Sequence, residues 1–268
     1  MANSNPAFAR NPAFSSSRSV PPVPTPGELQ QHLDLPSATP DQMGRMTYED
    51  TIVKTVLCFG ILVATAAVGW FVPLLWIVGG IVAFVLALII IFKRTPSPAL
   101  VVAYAATEGL FVGGVSQFYA DAFGGGIVPM AVLGTLAVVG ATLALFASGK
   151  VRASRRATRI FLVIMVGYLA FSLVNLLLMA TGVVTTGYFG VRSMEIGNTG
   201  IPIGVPLGIL VILLAAYSLV LDFDSIQQGV RNGAPRVYGW IGAFGILVTV
   251  VWLYLEILRL LALLTGRR

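Results

Sequence analysis

Seven apolar runs, each close to the length that crosses a bilayer, constrain this chain more than any other feature. They cover roughly 52–70, 73–92, 98–119, 127–148, 159–181, 202–224 and 238–264, and about 20 apolar residues in a helix span the hydrocarbon core. Backbone polar groups inside hydrocarbon must be bonded within the chain, so runs of this length are helices. The breaks between them have turn chemistry: GWFVP, KRTPSP, DAFGGG, GKVRASRR, TGVVTTGYFGVRSMEIGNTG and RNGAPR. The first break carries no charge, which makes residues 52–92 a tight hairpin. Only 10% of the residues are charged, against about 25% in soluble domains, too few to coat a water-facing surface. The expected fold class is an all-α, polytopic membrane protein with seven transmembrane helices in residues 47–268.

Residues 1–46 have a different composition. They are rich in Pro, Ser and Asn and repeat the tetrapeptide NPAF at 5–8 and 11–14. Such a segment buries too little apolar surface to fold alone, so it reads as a disordered tail. The repeat is either a short docking motif or a tail feature with no role. No apolar stretch follows the first basic residue, Arg10, so the tail is not expected to be a secretory signal.

The net charge of +6 points to membrane orientation, not to a nucleic-acid partner, because Lys and Arg collect in cytoplasmic loops. With the N-terminus inside, that face receives Arg45, Lys93, Arg94, Lys150, Arg152, Arg155, Arg156, Arg159, Arg231 and Arg236. The outer face receives Arg192, Arg267 and Arg268. Seven spans then place the C-terminus outside, the reverse of a G-protein-coupled receptor.

Few ionisable residues lie in or at the edge of the spans: Lys54, Glu108, Asp222, Asp224, Glu256 and Arg259. A charge at membrane depth costs at least ~2.5–3.5 kcal/mol, so each needs a reason. Asp224 ends span six at the cytoplasmic edge, and Asp222 is expected to face the headgroups. Glu108 lies near the midplane of span three, and Glu256 about 27 Å from the inner end of span seven. Polar residues recur on these helices at helical spacing. Thr249 and Glu256 are seven apart on span seven, with Arg259 three beyond Glu256 and able to pair with it. Tyr104 stands one turn before Glu108, and Tyr168, Ser172 and Asn175 form a stripe on span five. Three such stripes suggest one shared polar interior. Glu108 reads either as a protonated acid donating one interhelical hydrogen bond or as a relay. Glu256–Arg259 reads either as a self-neutralised pair or as a gate. Gly109 and Gly113 form a GxxxG, a pattern that lets another helix approach closely.

Several chemistries are excluded by what the chain lacks. His32, in the tail, is the only histidine, and Cys58 the only cysteine. No Ser–His pair, no His/Cys zinc cluster and no internal disulfide is available to the spans. The strings YD and GxGD of intramembrane aspartyl proteases are absent, as is a GxxxxGK[ST] phosphate loop. No enzyme activity, metal or cofactor is expected.

The stretch YSLVLDFDSIQQG, followed by a basic Gly/Pro loop and VWLYLEILRLLALL, resembles the Bax inhibitor / YccA-like membrane proteins, also called the transmembrane Bax inhibitor motif family. AYAATEGLFVGGVS in span three and the short tail look like its bacterial members. The resemblance covers about residues 47–264. It implies a fold in which the last helix is central and six others surround it, in the cell membrane. It also implies a calcium leak modulated by pH through a pair of aspartates, one ending helix six and one on helix seven. The first maps onto Asp224. The second falls on Glu256 by local string, or near Thr249, which does not titrate, by its spacing to Arg259. Bacterial members can carry an acid in span two that pairs with the helix-seven arginine; span two here has none.

The expected function is therefore passage of cations or protons along a polar seam around span seven. Asp224, with Arg231 or Arg236, gates the inner mouth, Glu108 relays at mid-depth, and Glu256–Arg259 gates the outer half. Tyr104, Thr249, Tyr168 and Asn175 line the seam. Calcium takes about six to eight oxygen ligands, so scattered acids allow only weak, partly hydrated passage. The expected partners are lipid, calcium ions or protons, and a membrane protein. The competing reading is a non-conducting regulator that binds other membrane proteins. A metabolite transporter lacks its pointer, a pair of broken half-helices in two repeats.

Overall fold

A computed structural model describes residues 44–72, 74–93 and 95–266. The greater part of the expected tail, with its NPAF repeat, lies outside the described residues, as do Arg94, Arg267 and Arg268. The described residues form seven helices long and apolar enough to cross a membrane. These are α1 (Tyr48–Phe71), α2 (Leu75–Phe92), α3 (Pro98–Phe123), α4 (Ile127–Ala147), α5 (Arg155–Ala180), α6 (Gly204–Arg231) and α7 (Gly239–Thr265). Their starts are written locally. The Thr47 hydroxyl accepts from the Asp50 amide at 3.1 Å, the Ser154 hydroxyl accepts from the Ala157 amide at 3.2 Å, and Pro98 opens α3.

One boundary matters for function. α6 runs to Arg231, seven residues beyond the expected end at 224. The apolar run does stop there, but SIQQGV contains no proline, and Ser225, Ile226 and Gly229 are buried. The helix stops only at Asn232–Gly233, where Gly233 takes a left-handed φ of 62°. Asp222 therefore lies nine residues, about 13 Å, inside the helix instead of at its edge.

α7 is the most buried span. Its side chains are enclosed on several sides, with Phe244, Leu247, Leu253 and Leu258 all buried. α6, α1, α4 and α3 pack most closely on it. The two glycines of the GxxxG set how α1 meets α3. A Cβ on Gly109 would stand 2.3 Å from the Leu62 carbonyl oxygen, and one on Gly113 2.0 Å from that of Ala66. α2 instead packs mainly on α3, while α5 meets α6 and a 3-10 turn at Gly190–Ser193. The expected hairpin partners α1 and α2 thus share α3 as their common support. α2 and α5 stand as outer walls on either side of a cavity that reaches α7.

Residues 44–46 belong to the fold and not to the tail. The Met46 amide donates to the Ala234 carbonyl at 2.6 Å, and the Arg236 amide donates to the Gly44 carbonyl at 2.8 Å. This antiparallel bridge, Arg45 to Pro235, ties the start of α1 to the α6–α7 loop.

Candidate functional site

The polar side chains inside the bundle form three stations along α7. The first lies at its N-terminal end. Lys54 of α1 pairs with Asp50 and donates to the Arg236 carbonyl at 2.7 Å, while Arg236 Nε donates to Asp50 Oδ1 at 2.7 Å. The Lys54 ammonium also stands 5.6 Å from the centre of the Trp240 ring. Lys54 is thus neutralised by one turn of its own helix and by the loop that opens α7. Arg236, expected to serve Asp224, is engaged with Asp50 instead.

The second station corrects the reading of the two aspartates. Asp222 does not face headgroups: it is fully buried, and its Oδ2 accepts a hydrogen bond from the Thr249 hydroxyl of α7 at 2.6 Å. Asp224, two residues on, points to another side of α6, is half-buried, and accepts from its own helix, from Gln228 Nε2 at 2.7 Å. The helix-six acid that meets helix seven is therefore Asp222, and the residue it meets is Thr249, one of the two positions the resemblance left open. The signal was present in the sequence. Gly208, Val211, Ala215, Leu219, Asp222, Ile226 and Gly229 are buried at steps of three or four, which sets Asp222 on the core-facing stripe.

Close to this pair lies a cavity of about 580 Å³ lined by Tyr104, Glu108, Ser218, Thr249 and Trp252 together with apolar side chains of α2, α3, α5 and α7. Glu108 is half-buried, and Tyr104, one turn before it on α3, lines the same cavity. The Tyr104 ring meets Phe244 of α7 edge-on, with centroids 5.0 Å apart. Tyr104, Glu108 and Thr249 thus line one cavity, but the third stripe expected to share it, Tyr168, Ser172 and Asn175 of α5, lies elsewhere, against Arg192 and the 189–191 loop.

The third station is a buried cluster toward the far end of α7. Glu256 Oε1 accepts from Arg259 Nη1 at 2.7 Å and from the Tyr168 phenol of α5. Arg192, which sequence reasoning assigned to a loop on the outer face, completes it. Its guanidinium donates to the Tyr168 and Ser172 hydroxyls at 3.1 and 2.8 Å and lies 3.9 Å from Glu256 Oε2. Two guanidiniums share one carboxylate, so the cluster carries a net positive charge. No local periodicity announces Arg192. It is carried inward by the 3-10 turn, which begins at Gly190 with a left-handed φ of 60° and is held by Asn175. The Asn175 side chain accepts from the Val191 amide at 2.8 Å and donates to the Phe189 carbonyl at 3.2 Å. A Cβ on Gly190 would fall 2.7 Å from that same Asn175 oxygen. Asn175 therefore anchors a loop and does not line a seam. Stacked and tilted rings of Tyr119, Phe123 and Phe189 dock the loop on the end of α3.

The order of stations along a central seventh helix, with an acid of helix six bonded to it, bears out the resemblance in architecture. The sequence matches the Bax inhibitor 1 like family over residues 5–266. The chain belongs to that family. The comparison with curated proteins gives no match. Within the Bax inhibitor 1 like fold, this chain carries a hydroxyl–carboxylate pair, Thr249 with Asp222, so of the two helix-seven positions left open it is the one that does not titrate that meets the helix-six acid. Such a pair has one titratable group and cannot share a proton between two acids. Glu256 lies seven residues, about 10 Å, farther along α7 from Thr249, with buried Val251 and Leu253 between them.

Proposed function

We propose that this Bax inhibitor 1 like protein passes cations or protons between the two faces of the cell membrane through the stations along α7, with its N-terminal face in the cytoplasm. The observation that carries the reading is the buried Asp222–Thr249 contact at mid-bundle, beside a cavity whose one charged wall is Glu108. Burying a carboxylate without a role is costly, and two acids at neighbouring depths make successive low-field oxygen sites for a cation or proton. Too few oxygens converge for a tight calcium site, so calcium would cross only partly hydrated. The Arg192–Glu256–Arg259 cluster is the closed end of this path: its net positive charge repels a cation until the 190–193 turn moves. Protonation of Asp222 exchanges a charge-assisted bond for a neutral one, which is the step at which pH acts. The proposed orientation is supported by Lys93, Lys150, Arg152, Arg155 and Arg156, all in breaks or helix ends on the face where α1 begins. The role is transport and not enzymatic.

The test is calcium and proton flux into dye-loaded liposomes holding the purified full chain. Flux above that of protein-free liposomes supports the reading. No flux at any pH, together with a stoichiometric crosslinked membrane partner in cells, would replace it with the non-conducting regulator.

A further inference from the structure

The cavity between α2 and α5 has the chemistry of a ligand site as well as a position on the proposed path. Its volume, about 580 Å³, lies within the ~300–1,000 Å³ of small-molecule sites, which combine apolar and aromatic walls with a few placed polar groups. The walls here are Phe84 and Ala87 of α2, Phe111 of α3, Met165 of α5 and Trp252 of α7. Glu108 is the one charged residue among the lining groups, and Thr249, also in the lining, holds Asp222 just behind it. Among the described residues, no lysine or arginine lines the cavity. The nearby field is therefore negative, while aromatic faces on several sides suit a positive charge.

Access comes from the side. α2 leans on α3, and α5 on α6 and the 190–193 turn, so the two outer helices face each other across the cavity without closing it. The outward side chains of both helices are apolar and exposed, among them Ile81, Val82 and Val85 on α2 and Val166 and Leu169 on α5. In a bilayer these are in contact with acyl chains. A lipid acyl chain alone filling the cavity would leave the Glu108 carboxylate against hydrocarbon, which is unfavourable.

We propose that this cavity binds a lipophilic ammonium ion that enters sideways from the bilayer, with its cationic head at Glu108 and its apolar body between α2 and α5. The site does not depend on ion passage: binding and flux are separate readouts, and either can fail while the other holds.

The probe is decyltrimethylammonium, below its micellar concentration, in equilibrium dialysis against the full-length protein in lipid nanodiscs. Its neutral analogue, with a tert-butyl head, serves as the uncharged control. The site predicts saturable binding of the cation above partition into empty nanodiscs, weakened about tenfold or more in Glu108→Gln, a change of roughly 1.4 kcal/mol. The neutral analogue binds weakly and alike to both. Ala87→Phe, which fills the cavity from α2 and keeps Glu108, abolishes saturable binding. Cation binding unchanged in Glu108→Gln, or unchanged in Ala87→Phe, or absent in the wild type, overturns the proposal.

Discussion

Thr249→Val isolates the contact on which the placement of Asp222 rests. Valine keeps the shape of threonine and removes its hydroxyl, so the bundle loses one hydrogen-bond donor and almost no volume. Asp222 is 0% exposed and Thr249 3% exposed, so the 2.6 Å bond is shielded from bulk water. Hydrogen bonds to charged groups are worth about 1.5–3 kcal/mol, and Thr249→Val removes one such bond from a buried acceptor. The expected loss of stability is therefore about 2 kcal/mol. Asp224→Asn is the control: its acid is half-buried and bonded to Gln228 on its own helix, and a change there is expected within about 0.5 kcal/mol. The molecule carries its own reporter. Cys58 is the only cysteine in the chain and is fully buried, so a thiol-reactive fluorogenic maleimide labels it only as α1 comes away. Thermal unfolding in detergent followed by this dye should show Thr249→Val melting several degrees below the wild type and Asp224→Asn beside it. In the cycle Thr249→Val, Asp222→Asn and the double variant, the two effects should not add. If Thr249→Val melts with the wild type while Asp224→Asn is strongly destabilised, the assignment of the interior acid to Asp222 is wrong.

Other perturbations follow from the same packing. Gly109→Ala should lower stability by about 1–3 kcal/mol in the same assay, because its new methyl meets the Leu62 carbonyl and the Thr65 hydroxyl; an unchanged melt would mean α1 and α3 are not in that contact. Arg259→Ala leaves the buried Glu256 with the Tyr168 phenol and with Arg192 at 3.9 Å, so it removes one charge-assisted bond and should cost about 1.5–3 kcal/mol in the same assay; an unchanged melt would mean that the pair is not formed. Single cysteines at Gly149 and Gly197, introduced with Cys58→Ala, should be labelled by a membrane-impermeant reagent from the cytoplasmic and the outer side respectively; the opposite pattern would reverse the orientation.

The spans were legible because their length and apolar content leave few alternatives, and the expected bounds fall within a few residues of those observed for most helices. The error at α6 arose from treating the end of hydropathy as the end of the helix. Residues 225–231 are more polar than the run before them yet contain no proline, so the helix goes on past both aspartates, and Asp222 falls on its buried stripe while Asp224 points to another side. Pairing within one helix was also readable, as Glu256 with Arg259 shows at a spacing of three. Arg192 was not, because its contacts to Tyr168, Ser172 and Glu256 join a loop to two distant helices, and nothing periodic in the loop encodes that meeting. The one-sided packing of α2 and α5 was hidden for a related reason: an acyl chain and a neighbouring helix ask for the same apolar side chains.

The most direct measurement of the transport reading is the initial rate of calcium entry into liposomes carrying equal amounts of folded wild type, Asp222→Asn or Asp224→Asn. Loss of one buried charge from the path should slow Asp222→Asn about tenfold or more, which corresponds to about 1.4 kcal/mol in the barrier, while Asp224→Asn stays within a factor of about two of the wild type. Equal rates for Asp222→Asn and the wild type would contradict a path that runs past the Asp222–Thr249 pair.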